Sequence, residues 1–367
     1  MILLVLIAGV DASAIRLERV LLIVVLVAIG AALPLTSAWK ELRHPRDAEP
    51  LSIDSNYIKD DRFFATSFES RVVEAVGPSP REPGPSAVVF RDPEVIDTVA
   101  GDLTIERDEV PASIVDVHRN LRVGSGTHLI KEVLIGGSAT IEQDSTLRAI
   151  KSQGDIRLGR NVRIERWIDA GWTIFASAST DLGVRATALQ SIVLEPGAVF
   201  RFVAAPIVSV GTPPPATSKP AVDAKPLITV VGERRHRVRA DGALIVDGPF
   251  VLPAGLAAKG DIIARSDVTI GERALLIGSI HSDRDIHLEA EASVTGSMVA
   301  ERDVILARSA AAESHVVAHG RASLSNCARV CSPGSVTTLL ADDGVEIALE
   351  SAVYGRIITY GLGRAVT

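Results

Sequence analysis

The chain has 367 residues, 47% of them hydrophobic, and a formal net charge of -7. It can bury a sizeable core and is not a disordered polyelectrolyte, and its acidic balance argues against a nucleic-acid binder, which needs a concentrated basic surface. Only 4% of residues are aromatic against 29 glycines; a surplus of Val, Ile, Leu and Ala suits a narrow core of stacked aliphatic layers, which favours a repeat architecture.

Residues 1–40 form an N-terminal region whose main feature is the run VLLIVVLVAIGAALPLTSAW from Val20. Roughly twenty residues without a charge, at about 1.5 Å each in a helix, just span a hydrocarbon core. The run predicts a transmembrane helix, with Val20, Leu21, Leu22, Ile23, Val24, Val25, Leu26, Val27, Ile29, Leu33 and Leu35 as its apolar anchor. Met1 to Val10 is also apolar but too short to span. Thr36-Ser37-Ala38 before Trp39 resembles a signal-peptide cleavage site. The charged stretch ahead of the run, with Asp11, Arg16, Glu18 and Arg19, is long for a signal peptide and favours a retained single-pass anchor. Arg16 and Arg19 precede the span and Lys40, Arg43 and Arg46 follow it, which leans towards a cytoplasmic rather than a periplasmic C-terminal part.

Residues 41–87 read as a polar, Pro-rich linker. The apolar spacing from Tyr57 to Val76 predicts a short amphipathic helix, and PSPREPGPS, Pro78 to Ser86, breaks it. A second Pro-rich connection, 211–241, divides the rest into two repeating blocks, 88–210 and 242–367. The connection ends in the basic run Arg234-Arg235-His236-Arg237 with Arg239, which reads as a solvated segment, with contact to anionic lipid or a partner as the alternative.

The second block repeats most clearly. Gly242, Gly260, Gly278, Gly296 and Ser314 start copies 18 residues apart. Within each copy apolar pairs recur every six positions, as in Ile262/Ala264, Val268/Ile270 and Ala274/Leu276. An i, i+2 pair points two side chains to one side of a strand, and three such strands joined by tight corners close a triangular coil. The predicted fold is therefore all-β, a triangular parallel β-helix in two blocks preceded by one transmembrane helix. Its core columns are Leu244, Ile262, Ile280, Met298 and Val316, and beside them Phe250, Val268, Ile286, Val304 and Ala322. The first block is looser, its copies 17 to 19 residues apart, with Leu103/Ile105, Ala139/Ile141, Ile156/Leu158 and Ile192/Leu194 as inward pairs. Past about Val330 the register fails at Ser332-Pro333-Gly334, and Val345, Ile347 and Val353 suggest one more coil in a shifted phase, a C-terminal cap. Solenoid ends leave unpaired strand edges, which must be capped or joined to another chain.

Coils of 17 to 18 residues with GDI, GSI and GSM starts and short corners resemble the bactofilins, bacterial polymer-forming cytoskeletal proteins. The resemblance covers the two repeat blocks. It implies a right-handed triangular β-helix, end-to-end polymerisation without nucleotide, membrane association, and a role in cell shape or envelope organisation; with the apolar run, the expected location is the bacterial inner membrane. The expected partners are the membrane and a second copy or another envelope protein. The long apolar anchor and the Pro-rich interruption depart from that family's uninterrupted solenoid.

A six-residue pattern also belongs to hexapeptide-repeat acyltransferases, some of which use a histidine as general base. Here His281, His287, His315 and His319 fall between inward pairs, towards solvent or a corner. Asp267, Asp285 and Asp303 repeat at one corner, where short acidic side chains bond backbone N–H groups more often than they hold calcium. Cys327 and Cys331 are the only cysteines. In a continued strand register both sulfurs point outward on an extended segment of about 13 Å, too far for a disulfide, whereas a turn there permits one. No phosphate-cradling loop, His-Glu metal motif or nucleophile elbow is present. The sequence thus nominates no catalytic, cofactor or metal residues and reads as a scaffold rather than an enzyme; a periplasmic binding module is the third reading.

Overall fold

The computed structural model of the chain describes residues 60–77, 86–91, 94–108, 111–213, 224–231, 236–240 and 242–367. The predicted transmembrane run at 20–39 lies outside them, as do Arg234 and Arg235. Among the described residues no helix is long and apolar enough to cross a membrane.

The described chain is nearly all β, a solenoid of about 14 turns. In the second block three parallel ladders run from turn to turn. Leu244 stands opposite Ile262, Ile262 opposite Ile280, Ile280 opposite Met298, and Met298 opposite Val316. Phe250, Val268, Ile286, Val304 and Ala322 form the second ladder. The third joins Ala258, Leu276, Val294, Ala312 and Val330. Every one of these side chains is buried, at 3% exposure or less. The first block repeats the plan through Leu103, Leu121, Ala139, Ile156, Ile174 and Ile192. Its other two faces share long bent strands, such as His128–Ile135, Thr146–Ser152 and Arg163–Ala170, so its corners are uneven.

The corners repeat as regularly as the faces. Arg273, Glu291, Ser309, Cys327 and Glu350 all have φ near +60°. This left-handed turn lets each of the first four donate its backbone N–H to a carbonyl one coil further on. Elsewhere Gly278 and Gly296 are held small by stacking, because a Cβ on either would strike the backbone of the glycine one turn before it.

The register break past Val330 is an inserted loop, not the end of the helix. Leu339 takes the place under Val316, and Ile357 the place under Leu339, so two further turns follow Ser332-Pro333-Gly334. The last strand, Ala352–Ala365, then pairs antiparallel with Val199–Val210, the last strand of the first block, Val203 facing Ile357 and Val208 facing Val353. The two blocks meet tail to tail, and one hydrophobic core runs from Ile105 through this seam to Leu244. At its far end the second block is met by residues that precede it in the chain. There, strand Lys225–Pro226 pairs with Ala258–Lys259, and Leu227 enters the core end at 3% exposure. Each outer end finishes in an antiparallel strand: Ser86–Arg91 on Glu94–Val99, and His236–Val238 on Leu244–Val246.

Candidate functional site: a helix clamped to the rod

The one long helix of the described residues, α1, is Phe63–Val76. Ala65, Phe68, Val72, Ala75 and Val76 share one face at the spacing of an amphipathic helix. α1 ends at Gly77, whose φ of 73° no β-carbon residue adopts cheaply. Its Ncap position, Arg62, makes no side-chain cap; that side chain reaches the solenoid instead.

α1 lies across the strands of the first block. Near its start Ala65 and Phe68 pack on Ala149 and Trp167, the Phe68 and Trp167 rings 5.6 Å apart. Near its end Val72 packs on Ile96, Ile114 and Leu134. A rise of about 1.5 Å per residue carries the helix across strands spaced about 4.8 Å apart, so fourteen residues cross about four strand intervals.

Beneath it sits a buried charge cluster. Lys151 and Asp169 face outward from adjacent strands, yet their side chains are only 5% and 1% exposed. Lys151 Nζ lies 2.7 Å from Glu69 of α1 and 3.7 Å from Asp169. Arg62 donates two bonds of 2.7 Å to the Asp169 carboxylate, and the Thr187 hydroxyl donates a third at 2.6 Å. Gln153 donates to Glu69 at 3.2 Å. Burial disfavours the ionised Glu69, but the hydrogen bond and charge of Lys151, helped by Gln153 and Arg62, outweigh it and hold its carboxyl below its usual value of 4.5. Two carboxylates against two cations leave the cluster neutral, which a low-dielectric site requires.

The start of α1 is held at the seam. Arg185 donates to the Asp61 carbonyl at 3.0 Å and stacks 4.2 Å from the Phe202 ring, and Arg356 of the second block pairs with the Asp61 carboxylate. The start of α1 thus rests on residues of both blocks.

Glu69, Lys151 and Asp169 carry none of the motifs a sequence search looks for. A signal exists all the same: Asp116, Leu134, Lys151, Asp169 and Thr187 are successive members of one outward column, and polar residues that are buried there imply a cover.

The residues singled out for chemistry lie elsewhere and apart. His281 is half-buried, 3.6 Å from Asp283; His287, His315 and His319 are exposed. His315 Nδ1 accepts the Thr338 N–H at 3.1 Å, and His319 Nδ1 lies 2.9 Å from Asp342, a hydrogen bond that raises its pKa. The Asp column is a turn device: Asp267 accepts the N–H of Asp285, Asp285 that of Asp303, and Asp303 that of Arg321. Among the described residues no group of three or more His, Cys, Asp or Glu is placed to hold a metal. The cysteines are unbridged. Cys327 occupies a left-handed corner, and Cys331, expected to point outward to solvent, is 4% exposed beneath Ala352, Tyr354 and Ile207. The seam strand covers it, a neighbour that local register does not reveal. An open groove of about 690 Å³ on the first block, lined by Glu142, Arg157, Phe175 and Glu195, contains no histidine or cysteine.

No family model matches the chain, and neither a curated protein nor a solved structure matches it significantly.

Proposed function

We propose that this chain is a non-enzymatic scaffold of the bactofilin-like type: a right-handed solenoid rod, tethered to the bacterial inner membrane by the apolar run at 20–39, that organises envelope or cell-shape proteins from the cytoplasmic side. The observation that carries the reading is the rod itself, one core continuous through a tail-to-tail seam. Two features add to it. The start of α1 is fixed at the seam by residues of both blocks, Arg185 and Arg356 holding Asp61. And at each outer end an antiparallel strand occupies one sheet edge, so a parallel coil of another copy could pair there only by displacing it. This favours a rod of finite length that docks partners on its faces over end-to-end growth.

Electron microscopy of the detergent-purified full chain at several concentrations tests the reading. Fourteen turns at about 4.8 Å predict rods of about 65 Å whose length does not change with concentration. Compact particles, or two arms folded side by side, overturn the rod; filaments that lengthen with concentration overturn the capped-end argument. Release of the chain from bacterial membranes by alkaline carbonate overturns the tether. The half-buried Cys327 reports sidedness, since a membrane-impermeant maleimide reaches it only after lysis if the rod is cytoplasmic.

A further inference from the structure

The column that α1 covers on the first block does not stop at the seam. Ala149, Trp167, Arg185 and Phe202 stand opposite one another in turn, and Phe202 faces Ile358 across the antiparallel pairing. From there the same outward position runs through Leu340, Val317, Val299, His281, Ile263 and Ile245. All seven residues from Ile358 to Ile245 are half-buried, and six of them are aliphatic. The corresponding column on the next face, Val251, Thr269, His287, Ile305, Ser323 and Glu346, is mixed and mostly polar. A continuous row of half-buried aliphatic side chains differs from the singly scattered apolar residues of an ordinary surface.

We propose that the second block's ladder is a docking track for one amphipathic helix of a partner protein, with a bulky apolar stripe and Lys or Arg along one flank. This rests on the scaffold reading above and names its partner chemistry. Three observations select that occupant. The ladder continues a face on which this fold already seats a helix, with Phe68 and Val72 of α1 against Trp167, Ala149 and Leu134. Its seven strands span about 29 Å, the length of a helix of about 19 residues, and it is one side chain wide, the footprint of a helix stripe. Along one edge, the residue that follows each strand is Asp247, Arg265, Asp283, Glu301, His319 and Asp342, a net-acidic border that favours a basic flank. A second copy is a poorer occupant, because its own face brings the same carboxylates and the chain carries a net charge of -7.

The test is fluorescence anisotropy of the full chain in detergent with a labelled synthetic helix of about 19 residues, Leu and Phe on one stripe and Lys on one flank. The controls are a scrambled peptide of the same composition and a peptide with Glu in place of Lys. The Lys-flanked peptide is expected to bind at least about tenfold more tightly than either control, and Val299→Glu with Val317→Glu to lower its affinity by about tenfold or more. Both positions face outward, so thermal melting shows whether the variant keeps its fold. A second variant, His281→Ile, completes the aliphatic ladder and is expected to tighten binding. Equal binding of the scrambled peptide, indifference to both variants, or a chain dimer that the double variant dissociates would each overturn the proposal. Since electron microscopy reads rod shape independently, failure of the track and failure of the scaffold reading are distinguishable.

Discussion

Replacing Lys151 with methionine tests the helix clamp directly. The substitution keeps the length of the side chain but removes the cation that lies 2.7 Å from Glu69 and 3.7 Å from Asp169. Removing one partner of a buried pair costs roughly 3–5 kcal/mol, because the remaining charge stays desolvated. Asp169 still keeps the two bonds from Arg62 and one from Thr187, so the cost falls at the lower bound, about 3 kcal/mol. At 1.4 kcal/mol per factor of ten, α1 should open roughly a hundredfold more often. Hydrogen exchange by mass spectrometry reads this locally. The α1 amides are expected to exchange about a hundredfold faster, while the strands around Ile150 and Ile168, each 0% exposed, keep their protection. Adding Glu69→Leu removes the stranded carboxylate and should restore most of the docking, since an apolar pair is often no worse than a buried ionic one. A change in α1 below about fivefold, or equal loss of protection throughout the rod, would refute the view that this cluster governs helix docking.

Four further outcomes follow from the same geometry. Because the Glu69 carboxyl is held below 4.5 in the folded state, its contribution is present above that value and is lost as pH falls through the folded pKa; acid should therefore raise α1 exchange relative to the core strands. For His319 the sign reverses: its pKa is raised above 6.5 by the hydrogen bond to Asp342, so the interaction is present below 6.5 and lost as pH rises through the folded pKa. Asp342→Asn should move its NMR titration midpoint down towards 6.5, with no resolved change in melting because the pair is exposed. Asp303→Ala removes the acceptor of the Arg321 N–H at 2.8 Å and should cost about 1 kcal/mol by denaturant unfolding, and added calcium should shift the melting of neither form if the column is a turn device. Gly363→Val places a branched side chain against the buried ring of Phe200 at the seam, an overpacking worth about 1–3 kcal/mol that hydrogen exchange should localise to Val199–Val210 and Ala352–Ala365.

Much of the fold is legible in the residues because a solenoid is a local code. The 18-residue spacing of Leu244, Ile262, Ile280 and Met298, with its i, i+2 pairs, admits three short strands per turn and little else, and each turn contacts only its neighbours. The corners are less legible. Glycine normally marks a left-handed backbone, but Arg273, Glu291, Ser309 and Cys327 adopt it here because stacking on the next coil repays the strain. The break at Ser332-Pro333-Gly334 is ambiguous for a similar reason, since a few inserted residues shift the phase of the repeat without ending the ladder that Val316 continues to Leu339.

By itself the sequence determined the repeat: which residues point inward, that the stretch from Tyr57 to Val76 has the apolar spacing of a helix, and that two blocks are separated by prolines. Only the tertiary structure decided that these blocks meet tail to tail, that Cys331 is covered, that Lys151 and Asp169 are buried under α1, and that one outward ladder continues past Phe202 through Ile358 and Leu340. The reason is physical. Periodicity records the interactions of a residue with its own coil and the next, whereas the seam and the clamp join residues more than a hundred positions apart, Arg62 to Asp169 and Asp61 to Arg356, and contacts of that range leave no period behind.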